Sequence, residues 1–496
     1  MNNNYVKTPA TISFSSIIEK NFTLSSSQFK ELVIPNQNVL YVKNFLNNPP
    51  KRKDLGNEVG SLNYIEKSPY YFLRTKALQP HLFLPEITNE TALPIMPNSF
   101  VQMDLKKGDL IISKDSNIGE IVILDKDYPN YMLSGALCKL SVTAKKYYLL
   151  AFIKHNVFRE QLYTLVPKGA TIRHAKTKFL ECKIPLPNKN VDNVIKFIES
   201  ITQAIINKEL LVKQKHQVIS KTIKTELQKN QKADFLKFDY PTINEIEVSN
   251  RLDTGTYSLQ FKEIDFLIKN YKYGYFFLNK NLKSGSTPDT RFIGDIDKMN
   301  YRWVTPTHCS DYGVIFMDEG INLRGNNNIN EDCILFINRT SKGGKGEFVG
   351  IATYYNFNDF KFGHHNQGIY QFSDKDKTKM LFILCVMNCE LMRKYCAALS
   401  VGSKMKEMKM EHFLMIPFPN FSEQKQKEIA MLYHNSEKDY HPDILTLDNF
   451  LEQDSIFNEN AGIYELDKTA KYLKKILNQA IDDIINDREV RTSFSR

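Results

Sequence analysis

The chain has 496 residues, 42% of them hydrophobic and 25% charged, with a formal net charge of +10. That length accommodates two or three domains with their own cores, and the composition excludes a fibrous or disordered class. The basic excess is modest for the size, so it is compatible with a polyanionic partner such as nucleic acid without requiring one.

Read from the start, "MNNNYVKTPA" has neither a charged n-region nor an apolar stretch, so it does not read as a signal peptide. No run of about 18 apolar residues follows that would span a bilayer, and a reducing, cytoplasmic compartment is expected. The first stretch with chemical content is "NNPPKRK", residues 47–53. Asn48, Pro49 and Pro50 are three-quarters of the Asn/Asp-Pro-Pro-aromatic tetrapeptide of enzymes that methylate base amino groups. The aromatic stacks on an extruded base, and Lys51 cannot supply that face. No Gly-rich strand–loop–helix for a methyl donor is present either. Pro49-Pro50 reads as a rigid turn, and Lys51, Arg52 and Lys53 as a basic run suited to phosphate.

Further along, the chain repeats itself. "GDLIISKDSNIGEIVIL" matches "EDCILFINRTSKGGKGEFVGIA" as a β-hairpin with a polar tip, with Gly119-Glu120 against Gly346-Glu347. A short Gly-containing strand follows each ("LSGALCKL"; "HHNQGIYQF"), then one mostly apolar helix ("YYLLAFIKHNVFREQLY"; "KMLFILCVMNCELMRKYC"). Cys385, Cys389 and Cys396 in the second helix read as small buried hydrophobes. The total of seven cysteines, without CxxC spacing, excludes a disulfide framework or zinc ribbon. Each half then closes on a Gly-led basic segment ending in Ile-Pro-x-Pro: "GATIRHAKTKFLECKIPLP" (169–187) and "GSKMKEMKMEHFLMIPFP" (402–419). Prolines there fit strands leaving a sheet.

The connections are helical. Residues 191–229 hold no Gly or Pro, and Val191, Ile198, Ile205, Val212 and Ile219 recur every seven, joined by Val194 and Ile201. That is an amphipathic helix with a coiled-coil-like seam, reaching roughly 60 Å. Leu466, Ala470, Leu473, Leu477, Ala480 and Ile484 form a second stripe. The two helices are expected to pack on each other and hold the domains apart. Residues 435–460 read as a polar insert with short structure.

The second half carries a resemblance. "LKSGSTPDTRFIGDIDKMNYRWVTPTHC" (282–309), Asn366-Gln367-Gly368, "IPFPNFSEQKQKEIAML" (416–432) and "RLDTGTYSLQF" (251–261) together resemble the target recognition domain of specificity subunits of type I restriction–modification enzymes. The first half lacks both the Ser-Gly-x-Thr-Pro turn and the Glu-Gln after its Ile-Pro-Leu-Pro. The resemblance implies an α+β chain of two repeated recognition domains separated by long coiled-coil-like helices in a pseudo-twofold arrangement. The expected division is residues 1–188 for the N-terminal segment and first domain, 189–234 for a spacer helix, 235–419 for the second domain and 420–496 for a C-terminal helical region with the polar insert. It further implies a protein that binds double-stranded DNA and does no chemistry, with no cofactor. Its long helices would set the gap and dock methyltransferase subunits, two in number. A motor-nuclease subunit can join them, and there is no membrane.

After Pro288-Asp289 the acidic-x-Lys triplet of a nuclease is missing at short distance, the triplets Glu407-Met408-Lys409 and Glu423-Gln424-Lys425 are of a common kind, and no phosphate-binding Gly-x4-Gly-Lys-Ser/Thr loop exists. DNA reading needs Lys/Arg for phosphates and Arg, Lys, Asn, Gln, Ser or Thr for base edges. Four loops supply them: Lys51, Arg52 and Lys53; Arg173, His174 and Lys176, matched by Lys404 and Lys406; Lys283, Ser286, Thr287 and Arg291; and Arg339, Ser341, Lys342 and Lys345. No catalytic or metal-binding residue is assigned: adjacent His364 and His365 point to opposite faces of a strand, and Trp303 belongs to the core. Two alternatives stay open, a catalytic DNA-modifying enzyme and a coiled-coil adaptor without DNA specificity.

Overall fold

The computed structural model describes residues 5–20, 22–24, 26–166, 174–237, 240–249, 251–278, 282–288, 293–316, 319–323, 328–341 and 347–495. The chain is α+β and folds as two compact units. One comprises residues 1–210, 439–459 and 468–496, the other 211–438 and 460–467.

The first unit contains strands β1 (Val39–Tyr41), β2 (Tyr71–Leu73), β3 (Ala92–Pro94), β4 (Leu110–Ser113), β5 (Ile121–Ile123), β6 (Tyr131–Leu133) and β7 (Leu137–Leu140). Helices α1 (Lys146–Lys154) and α2 (Asn156–Leu165), strand β8 (Lys183–Pro185) and helix α3 (Val191–Lys229) follow. Strand β2 lies between antiparallel β3 and parallel β6. Strand β4 lies between β5 and β7, both antiparallel, and β1 pairs with β8. The run Leu110–Ile112 is apolar without alternation because both faces of its sheet are covered. Leu110 and Ile112 face the helical core, while Ile111 packs with Phe72, Leu73 and Met132 of the other sheet.

The second unit repeats this order. It contains α4 (Leu259–Lys269), β9 (Tyr275–Phe276), β10 (Lys283–Ser284), β11 (Ile293–Asp295), β12 (Tyr301–Val304), β13 (Glu319–Ile321), β14 (Cys333–Ile337), β15 (Arg339–Thr340), β16 (Ala352–Tyr355), β17 (Gly363–His365) and β18 (Ile369–Phe372). Then come α5 (Lys377–Asn388), α6 (Glu390–Leu399), β19 (Lys406–Glu407), β20 (Phe418–Pro419) and α7 (Glu423–Tyr433). Strand β12 lies between antiparallel β13 and parallel β17, and β14 between antiparallel β16 and β18. These are the pairings of β2 and β4, strand for strand. Strand β9 pairs with β20 as β1 does with β8.

Two expectations from the repeat change. The apolar helix expected in each half is a pair of helices broken at an extended residue, His155 (φ −72°, ψ 147°) and Cys389 (φ −70°, ψ 153°). Apolarity alone does not register such a break, because each pair keeps buried apolar residues on both sides of it. The hairpins also align differently. Gly119 donates to the Ser113 carbonyl and Gly350 to the Ile337 carbonyl, and both have φ +84°, the left-handed backbone that favours glycine. Gly119 therefore corresponds to Gly350. Gly346 lies outside the described residues. All seven cysteines are buried, none in a disulfide.

Helix α3 spans the expected 39 residues. In the first unit its Val194, Ile198, Ile201 and Ile205 pack in one core with Leu473, Leu477, Ala480 and Ile484, so the two stripes do meet there. The polar insert contains a real helix, α8 (Phe450–Asn460), which precedes α9 (Ile463–Ile485). Helix α8 has a specific task. Continuing the Val194–Ile201 positions by seven gives Lys208 in the middle of the apolar seam, and its side chain is 0% exposed. Its ammonium lies 2.7 Å from Asp454 Oδ1 and 2.5 Å from Asn458 Oδ1, above the rings of Phe457 and Tyr440. Burial pushes the Lys208 pKa down, and Asp454 pulls it back up. Removing one member of such a pair leaves an uncompensated buried charge. Lys208→Ala should therefore destabilise the first unit by about 3–5 kcal/mol, whereas Lys208→Met with Asp454→Leu recovers most of the loss. Urea unfolding of the three proteins measures this; an equal loss in both variants would contradict it.

Candidate nucleic-acid interface

The basic loops of each unit are sewn along one sheet edge by backbone hydrogen bonds. In the first unit the Lys51 N–H donates to Asp54 Oδ2 at 2.8 Å, closing a helical turn at Arg52–Asp54. The chain then runs past the junction between β6 and β7. Gly56 N–H donates to the Leu137 carbonyl and Asn57 N–H to the Leu133 carbonyl. The approach is so close that a Cβ on Gly56 would lie 1.9 Å from the Ser134 carbonyl oxygen. From the same junction the Ala136 carbonyl accepts the Lys114 N–H at 2.8 Å. The Lys114 carbonyl in turn accepts the Ala175 N–H at 2.8 Å, which fastens the Gly-led segment. One residue on, Asp115 faces His174 across an isolated bridge. Asp115 holds His174 Nδ1 at 2.9 Å and the Lys114 ammonium at 2.8 Å.

The second unit has the same stitching. Lys283 and Ser284 pair with Gln371 and Tyr370, and a Cβ on Gly285 would lie 2.1 Å from the His365 carbonyl oxygen. The Gly368 carbonyl accepts the Asn338 N–H at 3.0 Å, and the Asn338 carbonyl accepts the Met408 N–H at 2.8 Å. Arg339 then faces Glu407 across the β15–β19 pair, with 4.0 Å between their charged atoms. The Ser-Gly-x-Thr-Pro turn thus has a counterpart in the first half at Leu55-Gly56-Asn57, and Asn366-Gln367-Gly368 has one at Ser134-Gly135-Ala136.

Among the expected contact residues, Lys51, Arg52, Lys53, His174, Lys176, Lys283, Ser286, Thr287 and Lys404 are exposed, and Arg339 and Lys406 are half-buried. Arg173, Arg291, Lys342 and Lys345 lie outside the described residues. Arg52 is tied inward: its guanidinium donates to the Leu55 and Gly56 carbonyls and to Asn57 Oδ1. Ser286 Oγ lies 3.0 Å from His364 Nε2, and His364 stacks on Trp303. His365 is fully buried; Asn328 clamps its backbone on both sides, and burial pushes its pKa down to about 4. Sequence reading missed Lys114, Asp115 and Asn57. The available signal was Gly56, which precedes Gly135 as Gly285 precedes Gly368. Gln28-Phe29-Lys30-Glu31, echoed by Gln260-Phe261-Lys262-Glu263, also carries the repeat further toward the N-terminus. Among the described residues no group of His, Cys, Asp or Glu could hold a metal ion, and no helix is long and apolar enough to cross a membrane.

Two copies of one loop-bearing edge, alike in backbone and different in side chains, define a protein with two related but distinct surfaces. The chain matches the type I restriction modification DNA specificity domain twice, over residues 80–221 and 278–438. It belongs to that family and is a DNA sequence-specificity subunit with two copies of the domain. No curated protein sequence matches it. Among solved structures it is similar to the S subunit of a type I restriction-modification system from M. genitalium, with 12% identity, coverage of 89% of this chain and 97% of that one, and a TM-score of 0.37. It is also similar to the HsdS subunit from Thermoanaerobacter tengcongensis, with 10% identity, coverage of 90% and 96%, and a TM-score of 0.27. At such scores the assignment rests on the family match alone.

Two outcomes follow for the edge. Gly56→Ala and Gly285→Ala should each cost about 1–3 kcal/mol, because backbone must shift to admit the methyl group; thermal unfolding reads the loss. The unfolded chain takes up the His365 proton near pH 6.5, and the folded unit does so only near pH 4. The second unit should therefore lose roughly 3 kcal/mol as pH falls through that interval and gain nothing from this group above it. His365→Gln should flatten that part of the pH profile of urea unfolding.

Proposed function

We propose that the chain is the non-catalytic recognition subunit of a type I-like restriction–modification complex, acting in the cytoplasm. Each unit's edge binds one half of a split duplex sequence. The recognition domains lie within residues 1–188 and 235–419, the spacer helix within 189–234, and the C-terminal helical region within 420–496. Lys51, Lys53, Lys176, Lys283 and Lys404 serve the phosphates, while Ser286 and Thr287 lie at base edges. Helices α3 and α9 dock two methyltransferase subunits, and a motor-nuclease subunit can join them. The bases are modified by those partners, and this chain positions them.

The observation that carries this reading is the duplication itself. A binder of one continuous feature has no use for two edges whose backbone bonds coincide and whose side chains do not, whereas a split target with unlike halves needs that combination. Two basic edges also suit a duplex better than they suit an adaptor for proteins.

Replacing residues 32–188 by the matching segment of another specificity subunit should change the first half of the methylated sequence and leave the second intact. Methylome sequencing of cells carrying either chain reads the result, and an unchanged split motif would defeat the proposal.

A further inference from the structure

We propose that the cross-strand acid–base pair at each hairpin tip, Asp115–His174 and Arg339–Glu407, is a positioning pair that sets which groups of the Gly-led segment face the DNA. Its reversed polarity helps the two halves read different sequences. The inference rests on the reading of the two edges as DNA-binding surfaces and deepens it.

The two pairs occupy equivalent places. Each follows directly on the hydrogen bond that fastens the Gly-led segment, Lys114 with Ala175 in one unit and Asn338 with Met408 in the other. In the first unit the hairpin supplies the acid and the segment the base. In the second unit the hairpin supplies the base and the segment the acid. The chemistry offered outward differs accordingly. Asp115 is mostly covered, at 16% exposure, and orients His174, at 60%, so an imidazole projects from the segment with its Nδ1 held. In the second unit the Arg339 guanidinium, at 30%, projects from the hairpin beside the Glu407 carboxylate, at 45%. A guanidinium suits the two acceptors of guanine, and a carboxylate suits the amino group of cytosine. The pair also fixes the segment laterally, so the loop that follows Gly402 keeps one path over the groove. Asp115 acts through the imidazole it holds and is a positioning residue.

The test uses the full-length chain and a pool of randomised duplex DNA, with bound sequences read by sequencing. Asp115→Arg places two basic groups face to face and should weaken the first half-site preference about tenfold, the scale of one lost base-pair contact, with the second half-site unchanged. Asp115→Arg with His174→Glu restores a pair in the second unit's polarity; it should recover binding and change the preferred base at one or more positions of the first half-site. The mirror variant, Arg339→Asp with Glu407→His, should alter only the second half-site. Wild-type selection of a split motif, with all three variants keeping its base preferences, would overturn the role of the pair alone. Failure of the wild-type chain to select any split motif would overturn the DNA reading itself, and the pair's role with it.

Discussion

The loop-bearing edge of each unit hangs on one contact between a glycine and a carbonyl. Residues 134–136 connect β6, in one sheet, to β7, in the other. The turn at Leu55–Asn57 bonds to both sides of that connection: Leu55 bridges Cys138, and Asn57 bridges Ser134. Closing both bonds brings the chain within van der Waals range of a carbonyl, where only a residue without Cβ fits. The same junction then receives the hairpin through Lys114, and the hairpin receives the Gly-led segment. Three loops from distant parts of the sequence become neighbours through four or five main-chain hydrogen bonds. Gly285 does the same in the second unit against His365.

Because that stitching is made by backbone, the side chains on it are free to differ. The cores keep their apolar positions strand by strand, while the polar positions diverge. Arg159 is paired with Glu120. Its counterpart Arg393 has Ile351 where the acid would be, since Gly350 matches Gly119. Lys139, bonded to the Asp104 carbonyl, becomes the buried Gln371. A duplicated domain under demand to read unlike sequences keeps what main-chain bonding and packing require and varies the rest.

Legibility in the sequence follows the same division. Hairpins, helical seam and Ile-Pro-x-Pro strands were readable because they are set by apolar periodicity and proline, which are local. The counterpart of Ser-Gly-x-Thr-Pro in the first half was not, because only its glycine survives and a single glycine carries no pattern. The alignment of Gly119 with Gly346 misled for a related reason: a Gly-Glu dipeptide is a weak anchor, and the true equivalence is a φ value. The insert at 435–460 read as polar with short structure, and the role of helix α8 was hidden because the helix is polar on most sides; its buried face is used to neutralise Lys208, and no periodicity announces an ion pair. Single basic residues could be placed on loops but not assigned to solvent or to intramolecular partners, as Arg52 and His174 illustrate.

The long helix meets a further requirement. An apolar seam of Val and Ile every seven residues is nearly indifferent to a slip of one heptad, since each position would meet a similar neighbour. Charges are not indifferent. The seam's second row runs Val194, Ile201, Lys208, Lys215, and its two lysines fall on either side of the boundary between the units at residues 210 and 211. Lys208 finds Asp454 and Asn458 in the first unit. Lys215, also pushed down by burial, is drawn back up by Glu465 in the second. A slip by seven that brings Lys215 to the Lys208 site would drive Lys208 into the apolar core that Ile201 occupies, at several kcal/mol. Two polar residues thus specify a register that the apolar residues only stabilise. For a protein proposed to measure the gap between two half-sites, that distinction matters more than total stability, because a helix that can slip cannot hold a spacing.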